Sequence, residues 1–463
     1  MTVAHRARLA AAHALTRPCR SPPTYPVGSW VRCICVWLMT RPGVVALSLA
    51  LVTAGCRPGS PSAAATPRPT ATPVETASPV PAAPSLTRLT MVSASVGWAM
   101  AAPAVTANPF PGSRTGVVRT IDGGAHWTVV LPAATVQPAL SGPAITEAAD
   151  FADSTHAWAL ELLDGESTAS VQTLIVASTS DGGAHWTATP RFGVSGAATH
   201  VQFVDATHGW VFATPSAGGV IGSQDTTLDR TVDGGSTWQV IKPASQVRQA
   251  PGVLGTLPEA CPMGGPIGAP SFIDAQTGWV GAFCDRMFFL VTHDGGLTWA
   301  AHGLPPFPGP PSSGPSALLY ATDPPLVLSA SDVVAFVHRG VTTGANALQE
   351  AAIYVTHDAG ASWSASRLPA PELGADFIDP RDGWMVAAGP GGDIEARSLY
   401  STVDGGGSWR LVSGPQDYFE RELSFVSRTD GFIAAPAVKG QPGRLLKTAD
   451  GGATWVPIPA SID

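Results

Sequence analysis

The octapeptide Thr231-Val232-Asp233-Gly234-Gly235-Ser236-Thr237-Trp238 has six further copies in the chain, and no other feature restricts the fold as strongly. The shared form is Thr-x-Asp-[Gly/Ala]-Gly-x-x-Trp, with aspartates Asp122, Asp181, Asp233, Asp294, Asp358, Asp404 and Asp450 and tryptophans Trp127, Trp186, Trp238, Trp299, Trp363, Trp409 and Trp455. Successive aspartates are 59, 52, 61, 64, 46 and 46 residues apart, so the unit is about 46 residues and the longer steps carry inserted loop. A single repeat of that length cannot bury its own faces. Repeats of small sheets set around an axis can bury them against one another. The expectation is an all-β fold, a seven-bladed β-propeller over residues 86–463, with the repeated turn between strands C and D of each blade.

A second, looser signal precedes each turn. It reads Phe151 to Trp158, Phe203 to Trp210, Phe272 to Trp279, Phe377 to Trp384 and Phe425 to Phe432, with Met91 to Trp98 as first member and Leu328 to Phe336 as a worn fifth. An apolar residue, a polar turn and then Gly and an aromatic mark one strand ending and the next beginning. The repeated turn has its own logic. Its carboxylate accepts backbone N–H groups that lack a ladder partner, and the glycine after it takes positive φ without a Cβ penalty. The threonine hydroxyl adds a local bond, and the tryptophan fills space between blades. Seven aspartates in one repeated position are therefore read as structural. Only the fifth copy, Asp358-Ala359-Gly360, has alanine after the aspartate.

Before the repeats the composition changes. Residues 1–55 hold six arginines, no acid and the apolar run Val44 to Val52, the make-up of a secretory signal rather than a span of roughly 20 residues. Thr53-Ala54-Gly55-Cys56 resembles the lipobox of bacterial lipoproteins, which implies lipidation at Cys56. The reading divides the start into 1–38, an over-extended start or leader, 39–55, the signal peptide, and 56–85, a Pro/Ala/Thr-rich tether. An uncleaved anchor or plain secretion is the alternative.

Without the first 55 residues, 20 Lys+Arg stand against 34 Asp+Glu, a net of −14, which argues against binding a phosphate backbone or an anionic lipid surface. Of the six cysteines, Cys261 and Cys284 fall in the repeat region. An exported pair is expected as a disulfide, with two buried thiols as the alternative.

The repeated turns and their flanks resemble the Asp-box (bacterial neuraminidase-type repeat) propellers, and among them the seven-bladed family typified by the photosystem II assembly and stability factor. That resemblance implies a protein partner, in that family a membrane complex under assembly, and a basic arginine patch. This chain departs from it: the domain is acidic and its arginines are scattered.

With antiparallel strands in order, the long insertions share the face opposite the repeated turns. They are the crossings Lys242–Pro270 and Ala301–Pro325 and the loops Ala101–Arg114, Glu161–Gln172, Thr214–Thr227 and Arg339–Glu350. Partner-binding candidates there are Arg248, Arg286, Phe307, Tyr320, Arg339 and Glu350, because exposed aromatics and arginines anchor interfaces.

Catalysis has weaker support. A sialidase requires an arginine cluster and a Tyr–Glu pair, whereas Tyr354 and Tyr400 occupy a strand position filled elsewhere by Val118, Leu290 and Leu446. An inverting glycosidase needs two carboxylates, with Glu166, Asp225, Asp229, Glu350, Asp393 and Glu395 available. No metal, cofactor or nucleic acid is expected, and His126, His156, His185, His208, His293 and His357 read as turn residues. The resulting reading is a lipid-anchored, extracytoplasmic, monomeric, non-enzymatic binding or assembly module. A glycan-binding or glycoside-hydrolysing propeller is the alternative.

Overall fold

The computed structural model describes residues 85–102, 116–131, 144–163, 167, 171–214, 227–241, 265–284, 287–310, 318–323, 325–341, 348–389, 393–416, 422–435 and 443–463. The expected leader, signal, tether and Cys56 lie outside them, as do Cys261, Arg248 and Arg286. The Cys284 side chain also lies outside the description, so the disulfide expectation falls there too.

All regular structure in these residues is strand. The first blade is Ser85–Met91, Gly97–Ala102, Gly116–Thr120 and His126–Leu131, each antiparallel to the next. Six more such units follow, opening at Ala144, Ala197, Gly265, Leu318, Glu372 and Leu423, which makes the chain a seven-bladed β-propeller. The second strand is sandwiched between neighbouring blades and hence almost wholly apolar, Glu161 excepted: Ala157–Leu163, Gly383–Gly389 and Gly431–Ala435 are buried throughout. Outermost strands such as Arg410–Ser413 are largely exposed.

Each core lies between two blades. Trp98 and Met100 meet Ala149, Ala159 and Ala177 of the second blade. Trp158 and Leu160 meet Val201 and Val211 of the third, and Trp210 meets Phe272 and Leu290 of the fourth. Trp279 and Phe289 meet Ala335 and Tyr354, Phe336 and Ile353 meet Met385, and Trp384 meets Phe425 and Ile433. Finally Phe432 and Leu445 meet Leu89, Val118 and Trp127, which closes the ring.

The Phe-to-Gly-Trp signal explains the local packing. The phenylalanine ending the first strand lies over the glycine opening the second: a Cβ on Gly209 would stand 2.5 Å from the Phe203 ring. The next residue, tryptophan, stacks on the phenylalanine of the following blade, at 3.6 Å and 4° for Trp210–Phe272 and 3.8 Å and 2° for Trp384–Phe425. The tryptophan of the repeated turn meets that phenylalanine edge-on, as in Phe203–Trp238.

Ring closure differs from the simplest expectation, in which Trp455–Ile458 meets Leu86–Val92. A blade's first strand is innermost and its fourth outermost, so the two cannot pair. Instead Ser461–Ile462 runs parallel to His126–Trp127 on the outer edge of the first blade, with Ser461 N donating to Ala125 O and Asp463 N to Trp127 O. Inside the ring, Met91 N donates to Ser424 Oγ at 2.9 Å.

The crossing 301–325 is also not wholly loop. Leu318–Thr322 pairs with Gly278–Cys284 of the fourth blade and with Val333–Val341 of the fifth, joining the two blades into one sheet. Only glycine fits beside it at position 281, where a Cβ would lie 1.9 Å from Thr322 O. The end of the other crossing, from Gly265, belongs to the inner strand of the fourth blade.

Candidate functional site: two unlike faces

On one face every connection is constant in length. First turns cover residues 92–96, 152–156, 204–208, 273–277, 328–332, 378–382 and 426–430, five residues in each blade. The repeated turns beside them share one hydrogen-bond pattern. The threonine Oγ1 donates to the aspartate Oδ1 at 2.7–3.0 Å. The same oxygen accepts from the N–H of the second glycine at 2.7–3.0 Å.

Oδ1 also accepts the N–H four residues on, at 2.8–2.9 Å. Oδ2 is held by the side chain of that residue: histidine in two blades, threonine or serine in the rest. With both oxygens bonded to turn donors, these carboxylates are occupied structurally. The bonds hold the Asp122, Asp181, Asp358 and Asp450 carboxyls down at about 2, the His126 and His185 N–H groups leading in the first two and the Ser362 and Thr454 hydroxyls in the others. Ala359 takes the glycine's place at φ 56°.

Histidines on this face are bound locally. Nδ1 of His126, His156, His185 and His208 lies 2.6–2.8 Å from an aspartate of the same turn, and His357 Nδ1 lies 2.7 Å from Asp332.

A set of inner-strand residues went unread in the sequence. In several blades the residue before the phenylalanine signal reaches the next blade: Asp150 Oδ2 accepts from Phe203 N at 2.8 Å, Gln202 Oε1 from Phe272 N at 2.9 Å, and Asp376 Oδ2 from Phe425 N at 2.5 Å. The available signal was a polar residue next to the aromatic at the end of an otherwise apolar strand. Burial pushes Asp150 and Asp376 up to about 6.

The opposite face has no constant length. Connections between second and third strands are residues 103–115, 164–170, 215–226, 285–287, 342–347, 390–392 and 436–443, and the crossings include 132–143, 241–264 and 304–317. Strand ends leading into this face carry charges without repeat equivalents. Burial pushes Glu161 up to about 7; its Oε1 accepts from Thr146 Oγ1 at 2.6 Å while Oε2 has no partner among the described residues. Burial likewise pushes Asp229 up to about 7.

Three partner-binding candidates need correction. The sequence suggests Phe307, Arg339 and Glu350 as exposed anchors, yet they are 7%, 3% and 9% exposed. Arg339 Nε donates to Glu350 Oε2 at 2.7 Å, and its terminal nitrogens donate to Gly309 O and Pro310 O. The guanidinium lies 3.9 Å from the centre of the Phe307 ring, whose other neighbour, half-buried Tyr320, is 6.5 Å away. Arg367 pairs with the second Glu350 oxygen. This cluster clamps the crossing 304–310 onto the fifth blade; buried charge is retained there because it is paired.

Asp229 and Glu350 are thus buried strand residues rather than loop carboxylates, and they sit in different blades. Asp393 and Glu395 are exposed on the sixth blade, whereas Glu166 and Asp225 lie outside the described residues. Tyr354 is fully buried, its hydroxyl donating to Pro305 O at 3.2 Å, and Tyr400 packs in the core between the fifth and sixth blades.

No family model and no curated protein matches the chain. Among solved structures it is similar to YCF48 bound to a D1 peptide, at 15% identity and a TM-score of 0.44, over 80% of this chain and 95% of that one. YCF48 from Cyanidioschyzon merolae gives the same identity and score, over 80% and 97%. A polysaccharide lyase that acts on ulvan matches at 9% identity and a TM-score of 0.42, over 67% and 81%.

Proposed function

We propose that this chain is a non-catalytic binding or assembly module of the Asp-box propeller type, exported and lipid-anchored at Cys56, that recognises a protein partner through the face carrying the unequal loops. The observation that supports the reading is the contrast in connection length. One face repeats residues 92–96 and their equivalents without change, while segments such as 215–226 and 241–264 have no counterpart of the same length in other blades. Short connections on both faces would suffice to join the strands and close the ring. Loops exceeding what closure needs are where a rigid scaffold carries recognition.

The net of −14 after Cys56 favours a basic or neutral protein surface over a nucleic acid or bare anionic lipid. The turn carboxylates are unsuited to catalysis, since their oxygens are already bonded within the turns.

Affinity capture of the lipidated protein from its own membranes, after mild cross-linking, tests the reading. Two variants accompany the native chain, one with residues 243–264 shortened and one with Ile121 and Val403, exposed on the turn face, changed to serine. Enrichment of one complex that is lost with the shortened crossing and kept with the serine variant is expected. Enrichment unaffected by the shortening, or lost with the serine variant alone, overturns it.

A further inference from the structure

Where the fifth and sixth blades adjoin, three side chains from separate strand segments converge. Asp323 stands at the break in the inner strand of the fifth blade, between Leu318–Thr322 and Leu326–Val327. His338 lies on Val333–Val341, and Glu372 opens the inner strand of the sixth blade. His338 Nε2 is 2.9 Å from Asp323 Oδ2 and 3.7 Å from Glu372 Oε2, and all three ligand atoms lie within 4.8 Å of one another.

Bonds of about 2.0–2.1 Å to a tetrahedral ion would separate its ligand atoms by about 3.3 Å, a value that the two observed distances bracket. We propose that Asp323, His338 and Glu372 bind a divalent transition-metal ion, zinc before others, leaving one position for water.

The donor set decides the class of ion. Calcium and magnesium take oxygen ligands, whereas one imidazole with two carboxylates suits zinc and its neighbours. Two carboxylates and a neutral imidazole carry a charge of −2, which a divalent ion cancels. Exposure also fits: the side chains of His338 and Glu372 are 13% and 10% exposed, while Asp323, at 40%, leaves an approach from solvent.

The turn histidines differ. His126 and His185 each meet one exposed carboxylate four residues away, as part of a repeated turn. Counted from the start of the second strand, the position of His338 holds Ala102, Leu162, Thr214, Phe283 and Ala388 in other blades, so the propeller does not require an imidazole there.

The competing occupant is a proton, with His338 as a cation held between two acids. Metal binding by the full chain separates the two. After dialysis against a chelator, zinc is titrated by calorimetry, and cobalt(II) is added in parallel to read the visible band of a four-coordinate site. One zinc per chain is expected, with affinity lowered at least tenfold in Asp323→Asn and in Glu372→Gln. His185→Asn and the Cys261→Ser/Cys284→Ser pair should bind as the native chain does.

Circular dichroism and thermal melts of the two isosteric variants establish that they remain folded. Absence of zinc binding, or binding that persists in both carboxylate variants, or that disappears with the cysteines, overturns the proposal.

Discussion

The two ends of the propeller use the same residue type in opposite ways. On the turn face, Asp122, Asp181, Asp358 and Asp450 are solvated and surrounded by donors, and their carboxyls are held at about 2. Glu161 and Asp229, in the strands leading to the other face, are removed from water without full compensation and are pushed up to about 7. Repetition explains the first set, because one local solution serves seven times. The second set has no common solution. Each of its members depends on what its own neighbours supply, as Arg339 does for Glu350 but no described residue does for Glu161 Oε2.

The largest effect should come from removing compensation where it exists. Arg339→Met deprives Glu350 of its buried partner and should cost about 3 kcal/mol in chemical denaturation, with Arg367 limiting the loss. Changing Glu350 to methionine in the same chain should recover most of it. Recovery near zero would show that the clamp on residues 304–310, not the charge, is what matters.

Where compensation is missing, substitution should help, and only at high pH. A folded pKa above the unfolded one means that stability is fully present below about 4.5 and is lost as pH rises through about 7. The shift of Glu161 corresponds to about 3 kcal/mol between those limits. Glu161→Gln should therefore flatten the fall in stability between pH 4 and pH 8, measured by urea unfolding at each pH. The turn aspartates have the opposite sign: their contribution is present above about 4 and lost as pH falls through about 2. Acid unfolding should begin there, in the native chain and the glutamine variant alike.

Smaller effects probe the turns. Thr231→Val leaves the N–H of Gly235 without its acceptor and removes one of the bonds to Asp233, whose two bonds from Thr237 remain, which should cost about 1–3 kcal/mol. Ala359→Gly should stabilise by about 1 kcal/mol, because alanine there holds a left-handed conformation that glycine adopts freely. A destabilising result at Ala359 would mean that its methyl group makes a contact worth more than the strain.

Much of this was readable from the residues. The spacing of seven aspartates identified blade number and turn position, since a repeat must solve its packing the same way each time. The phenylalanine and glycine signals marked where strands begin and end. The strand bridging the fourth and fifth blades was not readable, because Leu318–Thr322 follows a stretch rich in Pro and Gly and carries no repeated sequence signal of its own. Arg339 and Glu350 read as loop surface because the sequence shows charge but not burial. Only the structure brings them face to face across neighbouring strands, opposite each other in register. Asp323 and Glu372 illustrate the same limit: 49 residues apart, they meet at His338.

Division of labour between the faces is the central claim, and the positions of the three lysines test it directly. In the sequence Lys242 falls within the expected crossing Lys242–Pro270 and Lys439 falls between Gly431–Ala435 and Arg444–Thr448, both outside the described residues, whereas Lys447 lies in a strand next to a repeated turn, 5.2 Å from the centre of the Phe432 ring. Lysine-specific cross-linking to the captured partner, mapped by mass spectrometry, should give linkages at Lys242 and Lys439 and none at Lys447. Linkages confined to Lys447 would place the partner on the turn face and contradict the account.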